Sequence, residues 1–215
     1  MGAKMVAKRR KAGKRGERGV ALVEMSFVVL MMFVLVAGAF DYGLAWQSGM
    51  AVNEAARTGA RVGSGQATNI SADYNALTGV QASLRSAGKI DHVEKVVVFL
   101  SSTTNGRVPA SCIAASPSGT CNVLTGAQLA SLDQSSFNIV WNVDPDEPPT
   151  GGNGCLKAGS AVRSGWCPTS RINTQATAQY YGIYIEYEHD NYFPIMGDTH
   201  TVKRTAVMRL EPPSI

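Results

Sequence analysis

Two places in this sequence carry ionisable side chains where they could do chemistry. Glu24 is the one charged residue in the otherwise apolar run 20–40. An ionised carboxylate in such a run costs several kcal/mol if the run lies in lipid, and it usually marks a function. The second place is the stretch 186–190, with the sequence Glu-Tyr-Glu-His-Asp. Its carboxylates and histidine are side chains that bind metal ions or act as general acid and base.

The run that holds Glu24 is long enough to place it in a membrane. As a helix, its 21 residues would extend roughly 31 Å, the thickness of a bilayer core. A secretory signal has a shorter apolar region followed by small residues, whereas Asp41, Tyr42 and Trp46 follow here. We therefore expect a retained transmembrane helix over 20–40, with Tyr42 and Trp46 as aromatic residues at the membrane interface.

The segment 1–19 is a basic leader. It contains eight Lys or Arg residues and one Glu, whereas the rest of the chain has 12 basic and 15 acidic residues and a net charge of −3. The overall positive charge therefore comes from the leader, and nucleic acid is not an expected partner. The positive-inside rule puts the leader in the cytoplasm and the residues from about Asp41 onward outside it. These features predict a single-pass protein of the cytoplasmic (inner) membrane.

Beyond the membrane the helical pattern continues as an extension over 41–62. No proline interrupts 20–62, and the glycines in this region indicate either kinks or close packing against another helix. Glu54 and Arg57 are three residues apart and could pair on the helix surface, but a solvated helix face is the favoured interpretation, because exposed pairs contribute little.

Residues 63–215 are expected to form one exported α+β domain. Helical spacing predicts a second helix over 71–87, and 125–132 is a candidate short helix. β-Branched and aromatic residues predict strands over 93–101, 137–143 and 180–187, with a weaker candidate at 201–210. A long helix followed by several strands predicts a helix laid against an antiparallel sheet.

All four cysteines lie in the part predicted to be exported. An even number of cysteines in an oxidising compartment favours two disulfides. Adjacent pairing, Cys112 with Cys121 and Cys155 with Cys167, would close two loops rich in Gly, Ser and Pro, although four cysteines permit three connectivities. A zinc site is the weaker alternative, because the spacings lack the short interval of a zinc knuckle and no histidine is near in sequence.

The junction at Arg18-Gly19, followed by the apolar run with Glu24 as its fifth residue, resembles a prepilin processing site. With Asp41-Tyr42-Gly43, the segment 53–61 and the ending 204–212, it makes the chain similar to TadE-like pseudopilins, or minor pilins, of the tight-adherence (Flp) pilus system. The resemblance covers 18–62 well and does not extend to 64–180. One departure is Met25, at a position where many relatives have an aromatic residue.

The resemblance implies a pilin-like fold and a non-enzymatic role without a cofactor. A prepilin peptidase would cleave after Gly19, which has no side chain to obstruct it, and the mature chain would begin at Val20. The mature protein would assist assembly of the type IV pilus or stay at its membrane base. Its partners would be other pilins or pseudopilins, the inner-membrane assembly platform and lipid. Glu24 would pair with the new α-amino group of Val20 on a neighbouring subunit, which offsets two costly charges.

Three alternatives remain open from the sequence. If the membrane segment starts at Met25 or Ser26, Glu24 lies among headgroups and the protein is an uncleaved anchor with an exported binding or sensing domain. An exported enzyme would use residues 186–190. As a strand, however, this stretch has Glu186 and Glu188 on one face, as expected of a half-buried edge or outer strand. The acidic run 144–149 offers oxygens to calcium, but its prolines and the lack of an EF-hand pattern favour a solvated loop.

Overall fold

The structure is a computed structural model that describes residues 17–101, 106–144, 146–157, 166–193 and 197–212 of the 215-residue chain. The predicted leader therefore lies outside the described residues except for its last three positions. The described residues form four α-helices: α1 (Glu17–Gln66), α2 (Ala72–Ser86), α3 (Ala110–Ile113) and α4 (Gly126–Ala130). They also form six strands: β1 (Val93–Ser101), β2 (Cys121–Thr125), β3 (Phe137–Val140), β4 (Gly151–Leu156), β5 (Tyr180–Asp190) and β6 (Thr199–Arg209).

The predicted α+β class is confirmed, with a long N-terminal helix and an antiparallel sheet. α1 is continuous over 50 residues, or about 75 Å at the usual rise, and it ends four residues beyond the predicted position. Ala67 follows it with a φ of 42°, and its N–H bonds to the carbonyl of Gly63 at 3.1 Å. A left-handed residue just after the last turn is a common way to end a helix.

The main sheet has four antiparallel strands in the order β2-β1-β5-β6. Alternate residues of β1, β5 and β6, among them Val96, Ile183 and Val202, are buried on the face that packs against α1 and α2. The expectation of an edge or outer strand is wrong for Glu186 and Tyr187, which pair with β1 on one side and with β6 on the other, whereas residues 188–190 pair only with β6. One face of β5 is nevertheless half exposed at Glu186 and Glu188, as the alternation predicts.

The other face of the sheet carries a smaller core under the first cysteine loop. Val97, Phe99 and Tyr184 are buried there against the disulfide formed by Cys112 and Cys121. Phe99 lies across Gly182 of the neighbouring strand, where an added Cβ would be 2.3 Å from the ring. The first cysteine loop therefore covers part of the sheet face that is turned away from α1 and α2. The spacing of the cysteines alone does not predict this role.

β3 and β4 form a separate two-stranded sheet beside α2. The predicted strand 137–143 is shorter in the structure and does not join the main sheet. Its partner β4 has the sequence Gly-Gly-Asn-Gly-Cys-Leu, which has little intrinsic strand preference. The rings of Phe137 and Trp141 contact Tyr74 of α2 edge-on, with centroids 5.6 and 4.9 Å away.

Glycines let α1 approach the domain closely. A Cβ on Gly59 would lie 2.4 Å from the Cγ2 of Val80, and one on Gly63 would lie 2.3 Å from the ring of Tyr181. Neither separation is compatible with a real side chain, so a larger residue at either position would push the helix away. The sequence left open whether the glycines of α1 mark kinks or close packing. At Gly59 and Gly63 they allow close packing.

Candidate functional site

The N-terminal part of α1 makes almost no contact with the rest of the described chain. Residues 19–36 are exposed throughout, although most of them are large and apolar. We call residues 20–40 the apolar half of α1 and residues 48–66 its packed half. Among the described residues, α1 is the one helix long and apolar enough to cross a membrane, and its most apolar window is 0% buried.

The residues of the predicted processing site lie at the start of the apolar half. Gly19 and Val20 are both helical, and a Cβ added to Gly19 would meet nothing within 4 Å. Glu24 is exposed about one turn further along and forms no ion pair or hydrogen bond with the described residues. Its carboxylate is therefore open to a group outside the described residues.

The folded domain contacts α1 at Phe40, the last residue of the apolar half, and at Asp41, which directly follows it. Asp41 is only 4% exposed. Its two carboxylate oxygens accept hydrogen bonds from the backbone N–H groups of Tyr192 and Phe193, each at 3.0 Å. Phe40 completes this contact, because its ring lies edge-on to the rings of the same two residues, at 6.1 and 6.4 Å. The segment that directly follows β5 is thus held against α1 at the position of Phe40 and Asp41.

Tyr42 and Trp46 are exposed on α1 within two turns of Asp41. They line a groove between α1 and β6, together with His200 and Arg204. Arg204 closes the inner end of this groove, since its Nε donates to the carbonyl of Gly49 at 3.2 Å. The position of Tyr42 and Trp46 just beyond the apolar half agrees with the interface role predicted for them, which stays a prediction.

The structure separates the residues of the stretch 186–190 rather than gathering them into a catalytic group. Glu186 bonds to Lys203 at 3.1 Å and accepts from the hydroxyl of Tyr184 at 3.1 Å. His189 points to the opposite face, where its Nδ1 lies 3.3 Å from the hydroxyl of Ser48. Asp190 contacts His92 instead. In the described parts of the chain, no group of three or more His, Cys, Asp and Glu side chains could hold a metal ion.

Carboxylates of the acidic run 144–149 are also bonded within their own loop. Pro145 of this run lies outside the described residues. Asp144 accepts from the N–H of Asp146 at 3.0 Å, and Glu147 accepts from the amide of Asn142. These are the hydrogen bonds of a surface loop. Glu54 and Arg57 are exposed and are not among the ion pairs of the described residues, as the favoured interpretation of a solvated helix face predicts.

His189 is buried where β5 meets α1. Burial lowers the pKa of its imidazole, and the positive charge of Lys89 lowers it further, whereas Asp190 and Asp41 act in the opposite direction. Its Nε2 has no hydrogen-bond partner among the described residues. The neutral imidazole is therefore the form that the folded domain favours.

A buried ion pair that the sequence analysis did not find fastens the second cysteine loop to α2. Arg171 donates from Nη2 to both oxygens of Asp73, at 2.6 and 2.7 Å, and Tyr181 donates its hydroxyl to the same carboxylate at 3.0 Å. The guanidinium lies over the rings of both Trp166 and Tyr181, 4.3 and 4.9 Å from their centroids. Burial, aided by the Asp73 charge, raises the pKa of Tyr181 well above its usual value.

Both predicted disulfides are present, Cys112–Cys121 and Cys155–Cys167. The second holds the loop that supplies Trp166 and Arg171 to this cluster. Each disulfide closes a short loop, of 9 and 12 residues in sequence separation, so each orders its own loop rather than joining distant parts of the domain.

These features define a class of protein: an α+β domain carried on one half of a helix whose other half is apolar, exposed and long enough to cross a membrane. Residues 19–61 match the family model described as TadE-like protein. The resemblance predicted from the sequence is thereby confirmed over this segment, which lies wholly within α1. No curated protein and no solved structure matches the chain significantly.

Proposed function

We propose that the protein is a prepilin-like membrane protein that assists assembly of a tight-adherence (Flp) type IV pilus. In this proposal a prepilin peptidase removes residues 1–19. The mature chain stays in the cytoplasmic membrane through the apolar half of α1, with the folded domain outside the cytoplasm. The observation that carries the proposal is that the TadE-like segment begins at Gly19 and continues through an exposed apolar helix with a single carboxylate.

The surroundings of Gly19 support the cleavage step. Apart from the neighbouring residues and backbone of α1 itself, no described atom lies within 4 Å of the position that its Cβ would take, so no other described part of the chain covers the Gly19–Val20 bond. The basic leader would hold this bond at the cytoplasmic face of the membrane, since positive segments stay on that side.

Glu24 supports the assembly step. A carboxylate left without a partner in lipid is costly, and the described chain offers Glu24 no cation or hydrogen-bond donor. Cleavage after Gly19 would create an α-amino group on Val20. On a neighbouring subunit this group would neutralise the carboxylate, so that two charges that are unfavourable alone would stabilise association together.

We further propose that the protein has no enzymatic activity and works through contacts with other pilins or pseudopilins and with the assembly platform. The arrangement of residues 186–190 supports this, because Glu186 is paired with Lys203 and His189 is turned to the other side of the sheet. Its partners would then be proteins and membrane lipid rather than a substrate or nucleic acid.

The N-terminal mass of the protein tests the cleavage step. The chain is expressed with and without a prepilin peptidase, and we expect loss of residues 1–19 only when the peptidase is present. Gly19→Leu should block the loss, whereas Gly16→Leu in the leader should not. An intact leader in both cultures would contradict the proposal and favour an uncleaved anchor with an exported binding or sensing domain.

Co-purification with pilus components tests the role of Glu24. We expect Glu24→Ala to insert normally but to associate poorly, whereas Ser26→Ala, a nearby exposed position, should associate as the wild type does. If Glu24→Ala retains its partners, the carboxylate has no role in assembly.

A further inference from the structure

Five aromatic side chains gather at the height where α1 leaves its apolar half. Three are on α1 (Phe40, Tyr42 and Trp46) and two are at the end of β5 (Tyr192 and Phe193). We call them the aromatic collar. Two of its members belong to the folded domain and lie more than 140 residues further along the chain than the helix that they meet.

The collar surrounds α1 rather than lining one side of it. Successive helical residues are turned by about 100°, so Phe40 and Tyr42 lie on opposite sides of the buried Asp41. The rings of Tyr192 and Phe193 contact Phe40 and extend the collar outward from that side. Trp46 is exposed about one turn above Tyr42.

The side chains of Tyr192 and Phe193 are exposed, although their backbone is held by hydrogen bonds. Tyr192 is 74% exposed and Phe193 is 44% exposed, while both backbone N–H groups are held by the buried Asp41. Asn191 holds the far side, since its N–H donates to the carbonyl of Asp198 and its side-chain amide to that of Gly197, both at 2.8 Å. The backbone here is thus fixed, and it presents large rings outward.

The position of the collar along α1 indicates which part of the membrane these rings would contact. The 21 residues of the apolar half extend roughly the thickness of a bilayer core, so Asp41 falls at its edge and the collar falls in the headgroup region. Tyr and Trp are enriched in this region, and three of the five collar residues, Tyr42, Trp46 and Tyr192, are of these types. Because Asp41 fastens Tyr192 and Phe193 at the same height, these rings cannot avoid the headgroups when the apolar half spans the bilayer.

We propose that Tyr192 and Phe193 enter the extracytoplasmic headgroup region and give the folded domain a second contact with the membrane, separate from α1. The inference rests on the membrane anchoring proposed above. The spanning helix alone does not fix the tilt of the domain against the bilayer. A second contact beside the helix, made by Tyr192 and Phe193, would fix it. Lipid is thus a ligand of the domain itself.

Photo-crosslinking of the full-length protein tests this proposal. A benzophenone amino acid replaces Phe193, Trp46 or Ile172, one at a time, in vesicles of phosphatidylethanolamine and phosphatidylglycerol. Ile172 is the matched control, because it is 46% exposed and its N–H bonds to Gln179, just before the opposite end of β5. We expect lipid adducts at Phe193 and Trp46 in severalfold excess over Ile172, and loss of the Phe193 adduct alone in Asp41→Ala.

The outcomes separate the two proposals. Lipid adducts at Trp46 but not at Phe193, or adducts from Phe193 to a second protein chain, would overturn the second contact and leave the anchor intact. Release of the protein by alkaline carbonate, with no lipid adduct at Trp46, would overturn the anchor and with it this proposal.

Discussion

The two halves of α1 are continuous in backbone and opposite in environment. The apolar half carries large side chains such as Leu30 and Phe33, and these are exposed. The packed half buries small residues, among them Ala55, Ala56 and Ala60. The two halves therefore differ in the size of their apolar residues as well as in hydropathy. A helix in lipid gains by projecting large apolar groups, whereas a helix on a sheet gains by letting backbones approach.

The carboxylates differ in the same way. Asp41 and Asp73 are buried and each is satisfied by donors of the folded domain. Glu24 has no donor in the described chain. The described residues thus satisfy the carboxylates of the domain that are buried at Asp41 and Asp73, but not the carboxylate of Glu24. Changes in the domain should alter its stability and leave membrane insertion unchanged, which the following variants test.

The largest loss of stability is expected from Arg171→Met, which leaves Asp73 buried without its cation. Removing one member of a buried pair costs about 3–5 kcal/mol. Denaturant unfolding of the protein in detergent, followed by tryptophan fluorescence, measures the change. The double variant Arg171→Met with Asp73→Leu should recover part of the loss. A single variant as stable as the wild type would show that the pair does not hold α2 to the second cysteine loop.

Gly63→Val compared with Gly38→Val contrasts the halves directly. Gly63 has the ring of Tyr181 where a side chain would go, whereas a Cβ on Gly38 meets nothing within 4 Å. We expect Gly63→Val to destabilise the domain by about 3 kcal/mol, and Gly38→Val to leave its thermal unfolding unchanged. Equal effects of the two variants would mean that the close approach of α1 to β5 is not required.

Asp41→Ala should have a smaller effect, at the boundary between the halves. Two backbone N–H groups lose their acceptor, which costs about 1–2 kcal/mol where water can partly replace it. Glu54→Ala removes an exposed carboxylate from the same helix and should be within about 0.5 kcal/mol of the wild type. Hydrogen exchange at the amides of Tyr192 and Phe193 locates the change. Unaltered protection of both amides would contradict the fastening role of Asp41.

The weakest effect expected is a pH dependence from His189. Because burial lowers its pKa in the folded state, the unfolded chain binds the proton first as the pH falls. Stability should therefore decrease from about pH 6.5, the usual histidine pKa, down to the lowered folded value, and level off below it. Asp41, Asp190, Lys89 and His200 also act on this ring. His189→Gln should remove the slope, and an unchanged slope would show that His189 is not its source.

The sequence predicts well those elements whose pattern is local. α1, α2, β1 and the central part of β5 follow from apolar periodicity and β-branched runs, and adjacent cysteine pairing gives both disulfides. α4 is also predicted to within a few residues, and its Thr125 forms a capping box with Gln128.

The elements that were missed depend on partners distant in sequence. β4 is a strand in spite of three glycines, because β3 supplies its hydrogen bonds. Gly152 and Gly154 have positive φ values of 106° and 72°, which glycine adopts without strain. β2 is only five residues long and owes its conformation to β1. The Asp73–Arg171 pair and the bond from Asp41 to the end of β5 join residues 98 and about 150 positions apart. No local signal marks them.

The continuity of α1 has a mechanical consequence. A helix without a break between residues 17 and 66 behaves as a stiff rod, so a displacement of its apolar half along the membrane normal moves the domain by the same distance. Withdrawal by one helical turn would raise the domain by about 5.4 Å. The same movement would lift five rings out of the headgroups. With the membrane contacts proposed above, the aromatic collar as well as the apolar half of α1 should therefore resist extraction of the protein from the membrane.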